Sequence, residues 1–240
     1  MNAFDRAIRN LVIGNRILAQ EGVVDAYGHI SMRHPEKPDR FLLSRSRSPE
    51  LVEPEDIMEF TLDGAPVGGD KRPPYLERFI HGGVYEARPD VMAVVHSHAE
   101  SVLPFSVSET PLVPVIHSGS EIGAEVPVWD IADKFGETDM LVTTTEQGRD
   151  LASRLGPWRV ALMRGHGFVA SGKTLLHVVR TSVTMPKNAA VYLEAMRLGR
   201  VKTLSKKEIE IRTKVMDPET PATLRAWEYW AHRCGCAHLL

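Results

Sequence analysis

Two apolar runs that each lead to a histidine constrain this chain more than any other feature. Residues 91–95 (VMAVV) run directly into His96, and RVALMR (159–164) stops just before His166. Short unbroken apolar runs bounded by turn residues suit strands covered on both faces. Pro89-Asp90 breaks the chain before the first run, and Gly165 and Gly167 flank the histidine after the second. Such strands need helices to cover them.

The rest of the sequence supplies those helices. Phe4, Ala7, Ile8, Leu11, Val12 and Leu18 recur at three- and four-residue steps, which predicts an amphipathic first helix ending near Gly22. GHISMR (28–33), RFLLSR (40–45) and IMEFTL (57–62) read as short strands, the last before an Asp63-Gly64 turn. From 74 to 86 the pattern is helical, with Leu76, Phe79, Ile80, Gly83 and Val84 on one side. VLPFSVS (102–108), LVPVIH (112–117) and AEVPVWD (124–130) continue as short segments, and 147–155 suits a helix. A long helix over 175–200 should be kinked or interrupted by Pro186, and the aromatic tail 218–232 is again helical.

We expect an α/β fold in one domain over 1–240, with a central mixed, mainly antiparallel sheet and a C-terminal helical segment from about 205 to 240. No repeat or Gly/Ser or Pro tract divides it. The net charge of -2 excludes a general nucleic-acid binder, and no apolar run reaches a membrane span. The charged first turns of MNAFDRAIRNLVIG hold no apolar signal core, so the cytoplasm is the expected location. Cys234 and Cys236 cannot complete a zinc site alone and read as reduced thiols on a tail.

His96 and His98 stand two apart, so an extended backbone projects both imidazoles to one face, within reach of one ion. A structural pair would share that spacing. His166 adds a second strand-end histidine, with glycines that let the backbone turn sharply and leave room for a ligand. Three histidine ligands leave coordination positions open, the mark of a catalytic site. Glu77, on the helix before the strand that delivers His96, is a further candidate; otherwise it is a solvated charge paired with Arg78 or His81.

Taken in order, these features resemble the class II aldolase/adducin family across nearly the whole chain. The strand Gly28-His29-Ile30-Ser31-Met32-Arg33 comes first. Glu77, His81 and Tyr85 follow at four-residue spacing, then VVHSHA with His96 and His98, then RGHG with His166. The resemblance implies a three-layer α/β/α fold, a homotetramer with active sites between subunits, and one divalent metal ion on His96, His98 and His166. It makes Glu77 a ligand or an acid/base.

Departures from the sugar-phosphate aldolases shift the expected chemistry. His29 replaces the phosphate-binding Asn, Pro74, Tyr75 and Leu76 replace the serines before Glu77, and Ser118 replaces a proton-donating tyrosine. The loop Ser44-Arg45-Ser46-Arg47-Ser48 instead offers guanidinium forks that match a carboxylate. This combination resembles the decarboxylase branch, which acts on hydroxylated aromatic or pyridine dicarboxylates, and it favours manganese, then zinc. The expected substrate set is Arg45, Arg47 and Ser31; the expected proton donor is Glu77, ahead of His29 and Tyr229. Trp227, Tyr229 and Trp230 could cover a flat aromatic substrate from a neighbouring subunit, and otherwise pack a terminal helix; His177 and Arg180 read as a surface or interface pair. An aldolase or epimerase, and a non-catalytic adducin-like domain, are the alternatives.

Overall fold

The computed structural model describes residues 2–214 and 220–240. Helix α1 (Ala3–Gln20) is capped by Asn2, whose side chain accepts from the Asp5 amide at 2.7 Å, and the chain leaves it through Gly22 at φ 68°. Among the described residues there are seven strands: β1 (His29–Arg33), β2 (Arg40–Ser44), β3 (Ile57–Thr61), β4 (Ala93–Ser97), β5 (Val128–Trp129), β6 (Val160–Met163) and β7 (Gly167–Gly172). They form one sheet in the order β3-β2-β1-β4-β7-β6-β5, antiparallel except between β5 and β6. The remaining helices are α2 (Arg78–Ala87), α3 (Leu103–Ser106), α4 (Ala132–Phe135), α5 (Thr145–Leu155), α6 (Leu175–Leu198), α7 (Lys206–Lys214) and α8 (Pro221–Arg233).

Strand alternation sorts the core into two layers. Ile30, Leu42, Val95, Phe168 and Ala170 face α1, α6 and α8, where Ile17, Val178, Val179, Trp227 and Ala231 cover them. Phe41, Leu43, Val94, Ala161 and Val169 face α2 and α5, under Ile80, Val84, Tyr85, Leu151 and Leu155. The result is the expected three-layer α/β/α arrangement. No helix among the described residues is long and apolar enough to cross a membrane.

Several elements differ from their sequence patterns, each for a visible reason. The helix expected from 74 begins at Arg78, because Pro74 pairs with Arg45 in a β-bridge and Ser46 takes the Pro73 carbonyl at 2.8 Å. Glu77 therefore stands at the N-cap position, off the helix. Within the short segment 102–108, residues 103–106 form the one-turn α3. LVPVIH lies beside α6 without a strand partner: Asn188 Oδ1 accepts from Val115 N and its Nδ2 donates to the Val113 carbonyl, both at 2.9 Å. Pro186 sits inside α6 without ending it, at the loss of one helical hydrogen bond. Thr220 caps α8, and Pro218, where that helix was expected to start, lies outside the described residues.

The contact that places Glu77 is the packing of α2 on α5. A methyl group on Gly83 would lie 2.3 Å from the Gly148 carbonyl, and one on Gly148 would lie 2.1 Å from the Phe79 carbonyl. Only glycine permits backbones this close. Gly83→Ala should therefore lower stability by about 1–3 kcal/mol, seen as a lower urea midpoint; an unchanged midpoint would show that the two helices separate freely.

Candidate metal centre

His96 is delivered by the penultimate position of β4, His98 follows the strand's end, and His166 lies in the turn between β6 and β7. Both glycines around His166 have a reason. Gly165 turns the chain at φ 63°, and a methyl group on Gly167 would sit 2.0 Å from the Ser97 carbonyl. The Nε2 atoms of His96 and His98 are 3.0 Å apart, and those of His98 and His166 are 3.2 Å apart. Glu77 Oε2 lies 3.4 Å from His96 Nε2 and 3.5 Å from His166 Nε2.

What the far side of each ring touches decides the chemistry. His96 Nδ1 faces the Phe168 carbonyl at 3.1 Å, His166 Nδ1 the Met140 carbonyl at 3.1 Å, and His98 Nδ1 the Asp25 carboxylate at 3.3 Å. Carbonyls and carboxylates only accept, so each Nδ1 carries the proton and each Nε2 presents a lone pair. Three lone pairs and a carboxylate then face one another with no donor between them. Each unpartnered acceptor costs about 1–3 kcal/mol when buried, which a cation at the centre would offset. The nitrogen spacings are also those that metal–nitrogen bonds of roughly 2.0–2.1 Å impose on neighbouring ligands. The donor set fits a divalent ion.

Glu77 is anchored through Oε1, which accepts from Val142 N at 3.0 Å. Arg78 and His81 are not its partners: Arg78 donates to the Gly64 and Tyr75 carbonyls, and His81 turns to His29. Burial would raise the Glu77 carboxyl, but positive charge among the histidines, from protonation of His96 and His166 or from a cation in the proton's place, outweighs it and holds the group ionised. Burial lowers His98, favouring the neutral imidazole a metal needs.

Behind the centre runs a buried polar row. His29 Nδ1 is 2.7 Å from His81 Nε2, His81 Nδ1 is 2.6 Å from Ser31 Oγ, and Ser31 Oγ is 2.8 Å from the Tyr85 hydroxyl. The His29 ring lies 5.2 Å from that of His96. Ser31 is wholly buried and spends its hydroxyl on this row, so it reaches the site through His81 and His29 rather than directly. Burial pushes His81 down to about 3.

The other expected site residues are placed less directly. Arg45 Nε and Arg47 Nη1 both bind Asp56, at 2.6 and 3.3 Å. Their loop is tied to the segment before Glu77 by Tyr75, whose hydroxyl donates to the Arg47 carbonyl and whose ring lies 4.5 Å from that of His29, tilted by 46°. Tyr229 is 58% exposed and lines a surface cavity with Ser118, Arg180 and Trp230, away from the four metal-facing residues. Arg180 turns inward to the buried Glu121 carboxylate at 2.7 Å rather than forming a surface pair with His177. Cys234 and Cys236 are free thiols, Cys236 within the α1–α8 layer.

Three groups escaped the sequence reading: Asp25, Met140 and the Val142 amide. Met140 is the only non-glycine among the described residues with a positive φ, 67°, a conformation that turns its carbonyl to His166.

Removing the support behind His98 should loosen the metal before it disturbs the fold. Asp25→Ala is expected to weaken metal affinity about 10- to 100-fold in a chelator competition; an unchanged affinity would show that Asp25 does not orient the ring. His81 adds a pH signature. Its folded value lies below the unfolded one, so stability is full above about pH 6.5 and is lost as pH falls toward 3. Urea melts of chelated protein at pH 7 and 4 should show a smaller drop for His81→Asn than for the parent chain. Equal drops would remove His81 as the source.

The profile of the family described as Class II Aldolase and Adducin N-terminal domain matches residues 9–193. The chain is 36% identical over 205 residues to decarboxylase tropJ of Talaromyces stipitatus, covering 80% of this chain and 77% of that protein. It is 27% identical over 206 residues to the 3,4-dihydroxyphthalate decarboxylase of Arthrobacter keyseri, covering 79% and 78%. Among solved structures, the L-fuculose 1-phosphate aldolase of Glaciozyma antarctica superposes with a TM-score of 0.79 at 21% identity, over 97% of this chain and 91% of that one, which shows the shared fold. With its histidine turn, its three layers and its profile in agreement, the chain belongs to the class II aldolase and adducin family.

Proposed function

We propose that this chain is a metal-dependent decarboxylase of a hydroxylated aromatic or pyridine carboxylate, with a dicarboxylate such as 3-hydroxy-2-methylpyridine-4,5-dicarboxylate, a compound of vitamin B6 degradation, as the preferred substrate. The observation that carries it is the set of three Nε2 lone pairs converging beside Glu77, in a chain similar to two decarboxylases. His96, His98 and His166 would hold a divalent ion, manganese before zinc, which when bound would supply Lewis acidity to the reaction.

The protein's own groups then balance the protons. Once the ring carbon that bears the carboxylate is protonated and the ring is in its keto form, the carbon–carbon bond breaks, carbon dioxide leaves, and the bonding pair passes through the ring onto the oxygen, which takes a solvent proton on release. Glu77, ionised beside His96, accepts the ring hydroxyl proton as substrate binds and returns it to that carbon. His29 and Tyr229 are weaker donors, Tyr229 reaching the site of a neighbouring copy. Arg45 and Arg47 grip the second carboxylate with the guanidinium donors that Asp56 leaves available. Ser31 keeps His29 in place through His81.

The same reading takes 1–240 as one domain, since Trp227 and Ala231 of α8 share an apolar layer with Ile30 and Val95. It also takes the working form as a cytoplasmic homotetramer with sites between subunits, without nucleic-acid or membrane partners.

The test is carbon dioxide release from a panel of ortho-hydroxy aromatic and pyridine dicarboxylates, with manganese present and then chelated. Release that stops on chelation and resumes with metal is the expected result. Cleavage of a sugar phosphate with no carbon dioxide from any acid would replace this reading with an aldolase. Glu77→Gln should keep bound metal and lose about 100-fold or more in turnover; undiminished turnover would remove Glu77 from the proton path.

A further inference from the structure

The far end of the sheet holds a second concave site whose charge is unlike that of the metal centre. It lies where β7 ends at Gly172 and α6 begins, with a volume of about 530 Å³. Ala93 pairs with Gly172 there, whereas His96 pairs with Val169. Three residues along a strand put the two sites about 10 Å apart or more. Arg88, Asp90, Arg159, Lys173, His177 and Lys214 supply the charged and titratable lining.

The one carboxylate of that lining among the described residues is already neutralised. Arg88 binds Asp90 through Nε at 2.7 Å and Nη2 at 2.8 Å, and its Nη1 donates to the Gly156 carbonyl. Arg159, Lys173 and Lys214 therefore give the cavity an excess of positive charge. Among the described residues, neither Arg159 nor Lys173 forms an ion pair. Arg159 is half-buried and uses Nη1 on the Glu121 carbonyl at 3.1 Å, while the Glu121 carboxylate faces Arg180. His177, on the first turn of α6, has a buried Nε2 with no partner. Burial pushes this imidazole down to about 4, reinforced by the positive charges of Arg159, Arg180 and Lys173. At neutral pH it is an uncharged ring with an N–H to give.

Glu121 attracts Arg159 but gives its carboxylate to Arg180, so the half-buried Arg159 guanidinium keeps N–H donors that a bound anion would satisfy. The donors come from separate directions: a guanidinium, two ammonium groups and an imidazole. A planar carboxylate would satisfy two of them, whereas a tetrahedral dianion presents oxygens to all. The cavity is also larger than a bare phosphate needs and falls in the range of small-ligand sites, roughly 300–1,000 Å³. We propose that this cavity is a binding site for the phosphate group of a small phosphomonoester, separate from the metal centre.

Calorimetric titration of the metal-loaded protein with inorganic phosphate and with glycerol 3-phosphate, in phosphate-free buffer, tests this. Both are expected to bind, and the tighter of the two names the source of the phosphate. Arg159→Met should weaken binding about 10-fold or more, with metal content unchanged. Should that variant fail to fold, Lys173→Met, at an exposed side chain, should still weaken binding about 5-fold. Binding that vanishes when the metal is chelated would overturn the proposal, by assigning the anion to the histidines. Binding unaltered by both substitutions, or matched by acetate at equal concentration, would overturn it as well.

Discussion

The metal centre rests on what the Nδ1 atoms touch. A histidine can present either ring nitrogen, and three free rings would sample both tautomers and many orientations. Here the Phe168 carbonyl, the Met140 carbonyl and the Asp25 carboxylate each take an Nδ1 proton, so all three lone pairs point inward. The Phe168 carbonyl belongs to β7, which is paired to β4 in the register that also sets Ser97 opposite Phe168. Gly167 makes that approach possible. A slip of one residue in this ladder would reverse the face of His96 and dissolve the site.

The same register organises what stands behind the metal. His29 lies opposite His96 on β1, and Ser31 opposite Val94, so both side chains face α2. His81 and Tyr85, one turn apart on α2, complete the row from the other side. Four polar side chains are thereby buried with their hydrogen bonds made among themselves. The close contact of Gly83 with Gly148 holds α2 at the height this row requires, and it sets where Glu77 stands at the N-terminal end of that helix.

The two ends of the sheet have opposite characters. At one end, acceptors converge and ask for a cation. At the other, Arg159, Lys173 and Lys214 surround a cavity whose one carboxylate among the described residues is paired with Arg88. The separation keeps this positive potential away from the histidine cluster, where it would disfavour a bound cation. Arg45 and Arg47, by contrast, are on the metal's side of the sheet and share Asp56, which holds them together against their mutual repulsion.

Much of this was legible in residue spacing. The two-residue step between His96 and His98, the apolar runs before them and before His166, and the glycines at 165 and 167 each report a local backbone geometry. Local geometry is what short-range sequence encodes. The helix start was misread because Pro74 looks helical by periodicity, yet it pairs with Arg45 about thirty residues earlier. Asp25, Met140 and the Val142 amide had no signature at all: one is a single acid in a loop, and two act through backbone atoms that every residue carries. The sequence by itself determined which side chains could bind a metal and that a covered sheet would carry them. Only the tertiary structure decided which nitrogen of each ring faces the centre of the cluster, that Ser31 points into the core, and that Arg180 serves Glu121. Those outcomes depend on groups distant along the chain, brought together by strand register and helix packing.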